Sequence, residues 1–92
     1  MEQKEFETAV NQLAGAAELL ASGADEDQRM NAHQMRAFYR LQQGRSNEPG
    51  VRRTSDDELF KDTARAALTM AGRKEFLAAA ALLEQACSLL RN

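Results

Sequence analysis

The sequence predicts an all-α domain, a compact bundle of four helices. Three observations carry this reading. Alanine and leucine are abundant and β-branched residues scarce, and side chains of the first kind lose little freedom in a helix. Apolar residues recur at alternating spacings of three and four along most of the chain, as one face of a helix requires. Glycines at 23, 44 and 72 each follow such a stretch, where a left-handed residue commonly ends a helix. The 92 residues suit a single helical domain, 1–92. A domain of that size buries roughly 60–68 % of its unfolded surface, so its stability should be modest.

The first helix is expected in "EQKEFETAVNQLAGAAELLASG", with Phe6, Val10, Leu13, Ala17 and Leu20 as its apolar stripe. The second runs from about Asp25 to Gly44. Asp25 and Gln28 have the spacing of a capping box, and the acids of "DED" suit the positive end of the helix dipole. Its core side is expected to hold Met30, Met35, Ala37, Phe38 and Leu41. The third helix follows the loop "RSNEPGVRR", in which Pro49-Gly50 suits a type II turn. Ser55 and Glu58 offer a second capping box, and Leu59, Thr63, Ala66, Ala67 and Met70 a stripe. Gly72 either separates a fourth helix or merely kinks the last pair into one, which would leave three. The stripe of that last segment is Phe76, Ala80, Leu83, Cys87 and Leu90. "KEFETAVNQLAGAAELL" and "KEFLAAAALLEQACSLL" align without a gap, a likeness read as shared composition rather than duplication.

Leu77, Leu82 and Leu89 fall outside the stripe of the fourth helix, so apolar side chains surround most of it. A helix of that kind is buried centrally or takes cover from a second molecule. These leucines are therefore candidates for self-association as a homodimer.

Charge is distributed unevenly. The net charge is −6 over residues 1–28, +5 over 29–53 and −1 over 54–92, within a chain of net −2. The middle segment holds six arginines and no lysine. At about 100° per residue, Arg29, His33, Arg36 and Arg40 form one narrow ridge, which continues into a loop with Arg45, Arg52 and Arg53. Guanidinium groups bind carboxylates or phosphates in bidentate fashion. The plain alternative is a solvated face paired with the acidic first helix. The ridge is expected to dock an acidic protein surface, as an adaptor or inhibitor would. The second possibility is a nucleic-acid-binding regulator contacting phosphates through the same arginines. An acidic pI near 5.4 argues against it, since nucleic-acid-binding domains commonly exceed about 9.

Catalysis has the least support. His33, the only histidine, has no acid nearby in sequence to orient it. Cys87, the only cysteine, fits a core position. The glycines form no phosphate-binding loop. Asp56, Asp57, Glu58 and Asp62 lack EF-hand spacing and read as helix-start charges. No catalytic residue, cofactor or metal is expected. The longest apolar run, "FLAAAALL", is too short to span a bilayer. The acidic "MEQKEFE" is unlike a secretory or mitochondrial leader, so a soluble cytoplasmic protein is expected. In size and in its lack of catalytic groups the chain resembles the small helical accessory proteins of phages and plasmids.

Overall fold

The computed structural model describes residues 2–45 and 56–90. They form four helices: α1 (Gln3–Gly23), α2 (Glu26–Arg45), α3 (Asp57–Gly72) and α4 (Phe76–Leu90). No strand occurs among the described residues.

The junctions are set by local hydrogen bonding. Asp25 caps α2 as expected, its Oδ1 accepting from the Gln28 amide at 3.1 Å. At α3 the cap is Asp56, whose Oδ1 accepts from the Leu59 amide at 3.1 Å. The anticipated Ser55–Glu58 box is thus displaced by one residue, and Ser55 itself lies outside the described residues. Aspartate caps as well as serine does and adds negative charge at the helix start.

Gly72 marks a break, not a kink. The Lys74 amide donates to Ala71 O at 3.1 Å and the Glu75 amide to Met70 O at 2.9 Å, the paired bonds of a Schellman ending. The left-handed residue in that ending is Lys74, with φ 63°, and Gly72 is the last residue of the helix. The conformational task expected of the glycine thus falls to a lysine. Gly23 has a steric task instead. A β-carbon there would come within 2.8 Å of Cζ of Phe76, so the glycine admits the Phe76 ring beside the end of α1.

Cross-contacts fix the helix directions. The Phe6 and Phe60 rings stack with centroids 6.2 Å apart, and a β-carbon on Gly15 would touch Leu68. Hence α1 and α3 run parallel. Glu18 meets Arg40 and Asn11 meets Gln43, so α2 returns antiparallel to α1. The tight turn at Arg73–Lys74 sends α4 back along α3. α1 contacts all three other helices, whereas α2 and α3 do not contact each other.

The core is rich in alanine. Ala9, Ala16, Ala17, Ala32, Ala64, Ala67 and Ala79 are almost fully buried among Val10, Leu13, Leu20, Tyr39, Phe60 and Leu83. Small side chains let helix axes approach closely. The stripe expected on α1 is buried in full. On α3 the buried set is Phe60, Thr63, Ala64, Ala67 and Ala71, while Leu59 is exposed. That helix is rotated from the expected orientation because Phe60 buries more apolar area than Leu59. The two similar segments share their buried register, with Ala9 and Ala79, Leu13 and Leu83, Ala16 and Ala86 all inside.

One ion-pair cluster ties α1 to α3. Nζ of Lys61 lies 2.6 Å from Glu5 Oε2 and 2.9 Å from Glu58 Oε1. The hydrogen bond from Lys61, then its charge, lowers the Glu5 pKa below the ordinary 4.5. The bonds to Glu5 and Glu58 raise that of Lys61.

The α3 ending and the Lys61 cluster each predict a change in stability. Lys74→Gly relieves a left-handed conformation that costs a side-chain-bearing residue roughly 1–2 kcal/mol. Gly72→Ala places a methyl group where nothing lies within 4 Å, and helix propensity favours alanine by up to about 1 kcal/mol. Each should raise the midpoint of thermal unfolding by a few degrees, followed by circular dichroism; a fall in either would refute the assignment. The second prediction concerns pH. A lowered carboxylate pKa gives stability that is present above 4.5 and lost as pH falls through the folded value. A raised lysine pKa gives stability that is lost only in strong alkali. Glu5→Gln should therefore flatten the decline in stability below about pH 4.5, measured by urea unfolding across pH 3–7.

Candidate interaction surface

The orientation of α2 decides what this protein presents to its surroundings. Its buried residues are Ala32, Met35 and Tyr39. Tyr39 is fully enclosed, and its hydroxyl donates to Leu83 O of α4 at 2.6 Å. Phe38 packs edge-on against it, with centroids 5.2 Å apart. Seating this large ring turns the helix away from the orientation expected from sequence. Met35 and Phe38 do face inward, Phe38 only partly. Met30, Ala37 and Leu41 face outward, with Met30 72 % and Leu41 69 % exposed.

The same rotation moves the arginine ridge to the flank that faces α1. Nε of Arg29 donates to Ala24 O at 2.8 Å, satisfying a carbonyl of the tight α1–α2 connection. Arg40 pairs with Glu18 at 3.1 Å and Arg36 reaches the same oxygen at 3.6 Å. Nε of Arg36 is buried and has no hydrogen-bond partner among the described residues. His33 is exposed, on the outward side of the ridge. The structure thus brings Arg29, His33, Arg36 and Arg40 into one row, and three of the four also hold α2 against α1. Arg45 is the last residue of α2. Its side chain, together with Arg52 and Arg53, lies outside the described residues.

The second group of candidates does not form a patch. Leu82 and Leu89 are half-buried against the core of their own chain, and only Leu77 is fully exposed, at 75 %. α4 therefore takes most of its cover from its own chain.

A groove of about 370 Å³ separates α2 from α4, lined by Asn31, Gln34, Met35, Phe38, Glu84 and Cys87 among others. Cys87 is half-buried there rather than enclosed in the core, and its thiol donates to the Tyr39 hydroxyl at 3.3 Å. Asn31 spans the groove to Glu84 at 3.0 Å. A second groove, between α1 and α3, contains the Lys61 cluster with Lys4, Asp62 and Arg65. Its positive and negative groups balance, so it has no preference for either sign of charge. Among the described residues no group of three or more His, Cys, Asp or Glu side chains converges as a metal site would. No helix among them is long and apolar enough to cross a membrane.

Cys87 provides a check on this surface. A half-buried thiol engaged by a phenol should react with a small disulfide reagent more slowly than in denaturant, yet to completion in the native protein. Complete native protection would place it inside the core, and equal rates would place it on the open surface. Comparison with known protein families, with curated proteins and with solved structures gave no match.

Proposed function

We propose that this chain is a non-catalytic protein-binding module, an adaptor or inhibitor, that docks an acidic protein surface through the outward face of α2. The observation that carries this reading is the adjacency of two rows on one helix. Met30, Ala37 and Leu41 stand exposed beside His33, Arg36 and Arg40. Phosphates would engage the arginines but leave the apolar row in water. A protein partner can use both rows, with charge steering the encounter and apolar burial holding the complex.

Glu18 does not prevent this. The Arg40 and Glu18 side chains are each more than half exposed, and surface pairs of that kind contribute about 0–1 kcal/mol. A carboxylate from a partner can replace Glu18 at little cost, and two guanidinium groups already share its one charge. Arg29 serves the fold first, because its Nε is committed to the Ala24 carbonyl. Self-association through α4 has less support. Leu77 alone is far short of the roughly 800 Å² per partner that a stable interface buries.

Charge exchange separates the structural use of the ridge from docking. Arg36→Glu with Arg40→Glu should abolish capture of acidic proteins from nuclease-treated lysate. Arg36→Glu and Arg40→Glu combined with Glu18→Arg reverses every charge of the cluster and keeps its pairing, so it should keep near wild-type thermal stability and still bind less. Added salt should slow wild-type association, since screening acts over about 8 Å at physiological ionic strength. Capture unaffected by either variant would sink the proposal. Duplex or single-stranded DNA or RNA bound much more tightly than about 10⁻⁴–10⁻⁶ M near 150 mM salt would assign the ridge to nucleic acid.

A further inference from the structure

The outward face of α2 has a spacing finer than a general docking surface requires. Met30, Gln34, Ala37 and Leu41 are separated by four, three and four residues, the interval of the apolar seam in a coiled coil. All four are exposed. The seam spans twelve residues, whose eleven steps of 1.5 Å give roughly 16 Å, the length of three turns of a second helix. In heptad terms Gln34 and Leu41 take the a positions and Met30 and Ala37 the d positions. His33 and Arg40 then fall at g, where interhelical charge pairing selects the partner. The other flank is closed by α4, through the Asn31–Glu84 bond and half-buried Phe38.

We infer that the occupant of this face is an acidic amphipathic helix of another protein, packed along α2 as the second strand of a short coiled coil. This inference rests on the protein-binding reading above and specifies its partner. Charge complementarity requires Glu or Asp on the partner opposite His33 and Arg40, with Arg36 behind them. The α2 end near Glu26 and Asp27 is itself acidic, so the acids of the partner lie from His33 toward the C-terminal end of α2. A second copy of this chain fits less well. An antiparallel α2 pair across this seam puts the two ridges on the same side, where like charges repel. Gln34 is the one polar seam residue, and a polar group at a fixes register at the expense of affinity. With so few seam positions the complex should have micromolar affinity.

An unbiased selection tests this. A display library of random 18-residue peptides is panned against the full chain, and winners are measured by fluorescence anisotropy. Winners should be acidic, with apolar residues at three- and four-residue intervals, and become helical on binding. Met30→Gln with Leu41→Gln should weaken them at least tenfold, Gln34→Leu should tighten them, and amide shifts in ¹⁵N spectra should concentrate at residues 30–41. Acidic winners indifferent to the Met30 and Leu41 changes, yet lost with Arg36→Glu and Arg40→Glu, would overturn the helix inference and leave the docking proposal standing. Winners indifferent to both pairs of changes would overturn both. Wild-type protein that sediments as a dimer, and as a monomer after Leu41→Gln, would assign the seam to a second copy and overturn the inference.

Discussion

The Tyr39 hydroxyl bond to the Leu83 carbonyl governs which face of α2 meets water. A buried phenol without a partner costs about 1–3 kcal/mol, a large share of the stability of a small domain. Rolling α2 in either direction would withdraw that hydroxyl from α4 and move the ring out of a close-packed core. The orientation is therefore held from the inside chiefly by Tyr39, beside the smaller buried Ala32 and Met35, and the surface follows from it. Met30 and Leu41 emerge because Tyr39 points inward. The arginines turn toward α1, and Glu18 and the Ala24 carbonyl become their nearest acceptors. Cys87 joins the same hydrogen-bonded group from α4, so core and groove meet at one oxygen atom.

Much of the fold is legible in the sequence, and the failures share one cause. The α1 stripe and the Asp25 cap follow from spacing and local chemistry, which leave the helix count at four or three until the Schellman ending after Gly72 makes it four. The rotations of α2 and α3 do not, because each is decided by one large ring that the apolar spacing does not single out. On α2 the expected stripe omitted Tyr39, and on α3 it omitted Phe60. These aromatics are the two largest of the fully buried side chains. Among so many alanines, a large ring has few places to go, and the helix turns to accommodate it. The α3 ending was missed for a different reason: glycine is the usual left-handed residue, and nothing local marks Lys74 for that role.

The candidate surface was half legible. Sequence placed the four ridge residues in one row, which the structure retains. It assigned Met30, Ala37 and Leu41 to the interior, so the apolar half of the face was hidden within the expected core. From sequence alone, pairing with the acidic first helix and availability for a partner stand as competing alternatives. Their energies make them compatible, since an exposed carboxylate can be exchanged for another at little net cost. A similar exchange is unfavourable at Arg29, whose departure would take a hydrogen bond from the carbonyl of buried Ala24.

Division of labour around α2 bears on how this chain can vary over time. The core asks of this helix only Ala32, Met35 and Tyr39, together with the flanking Phe38. Substitutions on the outward arc touch no packed neighbour, and changes at such positions usually alter stability by no more than about 0.5 kcal/mol. α1 has no comparable freedom, because it faces helices on three sides. A change of partner could therefore be followed by residue changes on one helix, while the rest of the bundle remains under packing constraint. Diversity among descendants of this sequence should accumulate at positions 30, 33, 34, 37 and 41 before it reaches the alanines beneath them.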